Sequence, residues 1–131
     1  QNLCQRLNII DRVVFLKKQI NPYPWMKHCR TFVLSSKFEG FGIVLIEAMA
    51  INCPIVSSDC PTGPEEILAF GKAGALVPIG DEQAMATAIE RTLSDTEYRE
   101  ELTSNMKEQI KNFDIQVSMV KIEHLVSSLL S

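Results

Sequence analysis

A chain of 131 residues is long enough for one domain with a hydrophobic core, and its 46% hydrophobic and 22% charged content is that of an ordinary globular protein. A net charge of -3 provides none of the clustered Lys and Arg that nucleic acid or an anionic membrane surface requires. No apolar run reaches the roughly 18 residues of a membrane span, and the first residues lack a basic-then-apolar signal segment.

In chain order, residues 1–10 place Leu3, Leu7 and Ile10 at helical spacing and read as the end of a helix. "DRVVFL" is a β-branched run that predicts a strand closing near Leu16. In "NPYPWMKHC", Asn21 as N-cap and Pro22 at the first helical position predict a short helix with Trp25 and Met26 turned inward. "TFVLS", Thr31 to Ser35, predicts a strand, "SKFEG" a loop, Gly42 to Ile51 a helix, and "PIVSSD", Pro54 to Asp59, another strand. Beyond "CPTGP", a short helix begins near Pro64, with Glu65 and Glu66 in a first turn where carboxylates suit the helix dipole. "GALVP", Gly74 to Pro78, predicts a fourth strand, followed by helices near Asp81 to Leu93, Glu97 to Asn112 and Ile115 to Leu130. Short apolar strands separated by helices imply a parallel sheet covered on both faces, an α/β, Rossmann-like class. Four strands, and a start partway through a helix at Gln1, are less than a self-sufficient doubly wound domain, so a truncated piece is expected.

Cys4, Cys29, Cys53 and Cys60 form no CxxC pair, and the two histidines, His28 and His124, stand at no metal-ligand spacing. The expectation is free thiols, a cytosolic compartment and no metal. "GKAG", Gly71 to Gly74, lacks the spacing of a phosphate loop and reads as a helix cap and turn. The last predicted helix carries an apolar stripe through Ile115, Met119, Ile122, Leu125, Val126 and Leu129, a face expected to be exposed for contact with a second copy.

The chemistry concentrates in "EGFGIVLIEAMAI". Glu47 stands mid-helix with Ile43, Val44, Ala50 and Ile51 one turn away, so it has no polar face of its own. A carboxylate so placed calls for a donor from elsewhere, and a pair of ligand hydroxyls would serve. Glu39 lies eight positions earlier, in the loop that enters the helix. Between them Gly40 and Gly42 remove side chains where a ligand approaches backbone, and the first helix amides favour an anion. A plain glycine turn with Glu39 paired to Lys37 is the competing account. The position, at the C-terminal end of a parallel strand, favours a ligand site.

With Glu39 and Glu47 as an E-x7-E pair inside "SSKFEGFGIVLIEAMAINCPIVSSDCPTGPEEIL", the chain resembles the retaining family-4 glycosyltransferases of GT-B architecture. "DRVVFL", "NPYPWMKHCRTFVLSS" and "GKAGALVPIGDEQAMATAI" continue the resemblance in order, over about residues 3–113. It implies the incomplete C-terminal half of a GT-B fold, residues 1–131 being a nucleotide-sugar-binding domain whose N-terminal acceptor domain is absent. Carried over, Glu39 contacts donor-sugar hydroxyls near the reacting carbon as the catalytic position, and Glu47 holds the ribose hydroxyls. Gly40, Phe41 and Gly42 line the sugar, the amides of Ile43 and Val44 reach the diphosphate, and the base lies near the end of "VVFL". Lys17 and Lys18 follow that run where the family has glycine, and Asn52 replaces a glycine at the helix end, where asparagine is the next best left-handed cap.

The implied activity is that of a hexosyltransferase in polysaccharide biosynthesis, moving a sugar from a UDP- or GDP-linked donor to a glycan or lipid-linked acceptor without an essential metal or cofactor. The family's Arg/Lys clamp on the diphosphate lies upstream of the matching region, so the fragment alone is expected to be inactive. The expected location is the cytoplasm, with peripheral membrane contact only through a longer protein. A non-catalytic nucleotide-sugar-binding or regulatory domain is the alternative. A receiver-type signalling domain would need an acidic cluster at strand ends, and none stands in the sequence.

Overall fold

A computed structural model describes residues 2–114. Its elements in order are α1 (Asn2–Arg6), α2 (Tyr23–His28), β1 (Phe32–Leu34), α3 (Ile43–Ala50), β2 (Ile55–Ser58), α4 (Pro64–Ile67), β3 (Ala75–Val77), α5 (Glu82–Ser94) and α6 (Thr96–Gln109), with 3-10 turns at Ile10–Arg12 and Ile110–Phe113. The helix expected over Ile115 to Leu130 lies outside the described residues.

The three strands form one parallel sheet in the order β1-β2-β3, with Val33 opposite Val56 and Ser57 opposite Leu76. Every residue of the central β2 is buried, because helices cover both faces. Under α3, Leu45, Ala48 and Met49 recur at helical spacing and pack with Ile55, Ile67 and Met106 into the main core. On the other face α5 packs across β2 and β3. Asp81 Oδ1 accepts the Ala84 amide at 2.8 Å to start α5, and Asp95 Oδ1 accepts the Tyr98 amide at 2.9 Å to start α6. The left-handed cap expected of Asn52 is present, at φ 57°. No helix among the described residues is long and apolar enough to cross a membrane.

Two local expectations are corrected. Residues 13–16 are not a strand: they make no ladder among the described residues, and Val14 is 80% exposed. β-Branched composition suits a pleated, half-buried surface, but a strand exists only through its neighbour's hydrogen bonds, and nothing described lies alongside. Trp25 is 55% exposed, so of the two side chains assigned inward only Met26 joins the core. A helix of six residues has one inward stripe, and Met26 fills it. Asn21 acts as expected in kind, accepting the Tyr23 amide at 3.1 Å, with the helix starting one residue later than Pro22.

All four cysteines are free thiols. The Cys29 and Cys53 sulfurs lie 3.1 Å apart, and burial together with the Cys29 contact pushes the Cys53 thiol up from 9.0 to about 12. An acid whose folded pKa is raised contributes stability that is complete below the unfolded value and lost as pH climbs toward the folded one. Stability should therefore decline between pH 9.0 and about 12. Urea midpoints across that window should fall less steeply in Cys53→Ala than in the native chain; parallel slopes would contradict the assignment.

Candidate functional site

Because the strands are parallel, the loops after β1, β2 and β3 all leave the same edge of the sheet. The β1 loop enters α3 through Gly42, the N-cap residue, at φ 84° in the left-handed region. A Cβ there would meet Leu45 Cδ1 at 3.4 Å, an ordinary contact, so it is the conformation that favours glycine. The Gly42 carbonyl accepts the Leu45 amide at 2.9 Å, and the amides of Ile43 and Val44 precede any intrahelical acceptor. A Cβ built on Gly40 meets nothing within 4 Å, so the backbone there borders open space.

Glu47 stands one turn further into α3 and is half-buried. Its apolar neighbours do not enclose it: Ile43 is 64% exposed and Ala50 is exposed, so this side of α3 opens to solvent and Glu47 faces outward rather than into the core. The donor anticipated from elsewhere is the Tyr23 hydroxyl of α2, which donates to Glu47 Oε1 at 2.9 Å. That bond, and the carboxylate's charge, raise the Tyr23 pKa above 10.0. Nothing in the reading of the sequence singled out Tyr23; its residue type, at the start of a helix near the sheet edge, was the available signal.

Glu39 is half-buried, and its Oε1 accepts a hydrogen bond from Ser36 Oγ at 2.6 Å. The competing pairing with Lys37 does not form: the ion pairs among the described residues are Arg91 with Asp95 and Lys111 with Glu108. Lys37 instead lines a cleft of about 350 Å³ beside α5, with Ser58, Asp81, Met85 and Ile89. That cleft includes neither Glu39 nor Glu47; each carboxylate is held by its own hydrogen bond, Glu39 by Ser36 and Glu47 by Tyr23.

The loop after β2 holds the Glu39 segment in place. The single Thr62 hydroxyl proton is shared between the Glu39 carbonyl at 2.7 Å and the Pro61 carbonyl at 2.6 Å, and Thr62 itself sits at φ 64°, a costly conformation for a β-branched residue. Beside it Gly63, at φ 116°, passes so close to Phe41 that an added Cβ would lie 1.9 Å from the Phe41 carbonyl oxygen. Ser58 ties the same region from below, its hydroxyl donating to the carbonyl of Ser36. In the sequence, "CPTGP" marks only the approach to a helix, and the glycine between Thr62 and Pro64 is its one signal of this contact. Among the described residues no three His, Cys, Asp or Glu side chains gather into a potential metal site.

Residues 1–109 match the family described as glycosyl transferases group 1. The chain belongs to this family. As a group 1 glycosyltransferase chain it is 31% identical, over 95% of its length, to the N-acetylgalactosamine-N,N'-diacetylbacillosaminyl-diphospho-undecaprenol 4-alpha-N-acetylgalactosaminyltransferase of Campylobacter jejuni, of which it covers 34%. It is 36% identical over 83% of its length to the N-acetyl-alpha-D-glucosaminyl L-malate synthase of Bacillus anthracis, covering 27% of it. Among solved structures, Anabaena HepE in complex with UDP matches 97% of the chain at a TM-score of 0.85 and 28% identity, and 35% of HepE is covered. Sucrose-phosphate synthase from Thermosynechococcus elongatus matches 98% at 0.79 and 30% identity, with 33% of it covered. The group 1 chain thus spans 27% to 35% of these proteins. Its three-stranded sheet and flanking helices are a fragment of the GT-B fold.

Proposed function

We propose that residues 1–131 are the C-terminal, donor-binding domain of a retaining family-4 glycosyltransferase that moves a hexose from a nucleotide-diphosphate sugar to a glycan or lipid-linked acceptor. The observation that carries this reading is the joining of Glu39, the left-handed Gly42 and Glu47 into one unit at the C-terminal edge of the parallel sheet. From entrance to helix, this unit offers an acceptor for hydroxyls, bare backbone with outward amides, and a second acceptor one turn on. A sugar, a diphosphate and a ribose present complementary groups in that order.

In this reading Glu39 contacts the sugar hydroxyls beside the reacting carbon, with Ser36 fixing one of its oxygens. Gly40 and Phe41 border the sugar. Gly42 turns the chain so that the amides of Ile43 and Val44 meet the diphosphate, where the α3 dipole also favours negative charge. Glu47 receives the ribose hydroxyls. The cationic clamp that neutralises the leaving diphosphate, and the acceptor site, belong to other parts of a longer protein, so the chain alone binds donor without transferring sugar. The HepE structures with UDP and with UDP-glucose support a uridine nucleotide as the first ligand to try.

Titration with UDP, GDP and ADP, followed by amide shifts in NMR, tests the site. A matching nucleotide should move the resonances of residues 40–44 at sub-millimolar concentration. Glu47→Ala should weaken that binding about tenfold, as loss of a charged hydrogen-bond acceptor does, while the unfolding midpoint barely moves. Millimolar nucleotide that leaves residues 39–47 undisturbed would sink the proposal.

A further inference from the structure

The contact between Tyr23 and Glu47 joins residues 24 positions apart in the sequence and lies outside every motif used above. We propose that Tyr23 is the positioning residue of the nucleotide site, its hydroxyl holding the Glu47 carboxylate ready for the two ribose hydroxyls; this rests on the assignment of Glu47 to the ribose.

Glu47 projects from a half-open helix face and has several torsions about which to turn, so a carboxylate left to itself would occupy many positions. The described ion pairs lie elsewhere, and the Tyr23 hydroxyl, 2.9 Å from Oε1, is the donor on its carboxylate. Tyr23 is 44% exposed, but the helix that carries it is anchored. The Tyr23 amide bonds Asn21 Oδ1 at 3.1 Å, and one helical turn on, Met26 is 6% exposed within the core, so α2 cannot slide without disturbing buried packing.

The chemistry of a phenol suits this task. A Lys or Arg at the same place would neutralise the carboxylate and compete with incoming donors, whereas a neutral hydroxyl fills one acceptor position of Oε1. The second oxygen, and the negative charge, remain for the ligand. A phenol of ordinary pKa already keeps its donating proton across the neutral range, and Glu47 raises the Tyr23 pKa further. A carboxylate fixed in advance loses less freedom when a diol arrives, and the benefit appears only for ligands that present those hydroxyls.

That selectivity separates positioning from a surface bond that merely ties α2 to α3. Affinities for UDP and for 2′,3′-dideoxyuridine diphosphate should be measured calorimetrically for the native chain, Tyr23→Phe and Glu47→Ala, with urea midpoints alongside. The native chain should prefer UDP by about tenfold, the worth of well-made hydrogen bonds to a charged acceptor. Tyr23→Phe keeps the ring and should bind UDP about threefold to tenfold more weakly, with dideoxy affinity within about twofold of native, so the preference shrinks. An undiminished preference in Tyr23→Phe, whatever its stability, would overturn the positioning role while leaving the ribose assignment standing. A native chain without preference, and a Glu47→Ala variant that binds UDP like native, would overturn the ribose assignment and Tyr23's role with it.

Discussion

Gly63→Ala should lower the unfolding free energy by about 3 kcal/mol or more, a large fraction of a small domain's stability. Two causes act together. The φ of 116° is one that L-residues avoid, and the new methyl would fall 1.9 Å from the Phe41 carbonyl oxygen and 2.7 Å from its carbon. These are backbone atoms, so no rotamer change relieves the clash; the loop after β2 must leave the Glu39 segment. Since Thr62 donates to the Glu39 carbonyl from the same loop, the movement should also release the candidate site. Urea unfolding of Gly63→Ala measures the first effect, and a midpoint equal to the native one would show that the close approach does not exist. Gly40→Ala is the matched control. Its Cβ meets nothing within 4 Å, so stability should stay within about 0.5 kcal/mol. If the sugar approaches that backbone, the same methyl should still weaken nucleotide-sugar binding.

Glu39→Gln should reduce sugar transfer by the longer enzyme proposed to carry this chain about a hundredfold to a thousandfold in kcat/KM. The substitution preserves shape but exchanges an acceptor-only carboxylate for an amide that also donates. In the proposed site the charge on Glu39 acts beside the carbon that becomes electron-poor as the donor bond breaks, so the loss should be larger in transfer than in binding. Affinity for UDP, which lacks the sugar, should change less than about threefold. Ser36→Ala should give an intermediate loss, because the hydroxyl at 2.6 Å fixes the orientation of Glu39 without supplying its charge. A Glu39→Gln enzyme that transfers at the native rate, or that loses UDP affinity as severely as transfer, would place Glu39 elsewhere in the mechanism.

The elements most legible in the sequence were those whose stability is local or repeats with a clear period. The α3 helix, the buried β2 run and the helices α5 and α6 follow from spacing and residue type, whereas the capping bonds of Asp81 and Asp95 that start α5 and α6 emerge only in the structure. The left-handed Asn52 was likewise predictable, since few residues tolerate that conformation. The run at residues 13–16 was misleading because β-branched composition describes a surface suited to a sheet and says nothing about whether a neighbouring strand lies beside it. Trp25 failed for a related reason: hydrophobicity favours burial, but which side of a six-residue helix meets the core depends on where Met26 anchors it.

For the site, the division is equally physical. The sequence by itself determined the chemical inventory: two carboxylates eight positions apart, a glycine-bearing turn between them, and a helix whose first amides point outward. Only the tertiary structure decided their partners. It set Tyr23 against Glu47, Ser36 against Glu39, and the Thr62–Gly63 loop against Glu39 and Phe41. Of these, the Tyr23 and Thr62 contacts span more than twenty positions; the parallel register of β1 and β2 brings the Thr62 loop to the Glu39 loop, and the seating of Met26 in the core beside α3 brings Tyr23 to Glu47. Local spacing governs which groups a segment presents, whereas hydrogen bonds between segments depend on distances that only the assembled sheet imposes.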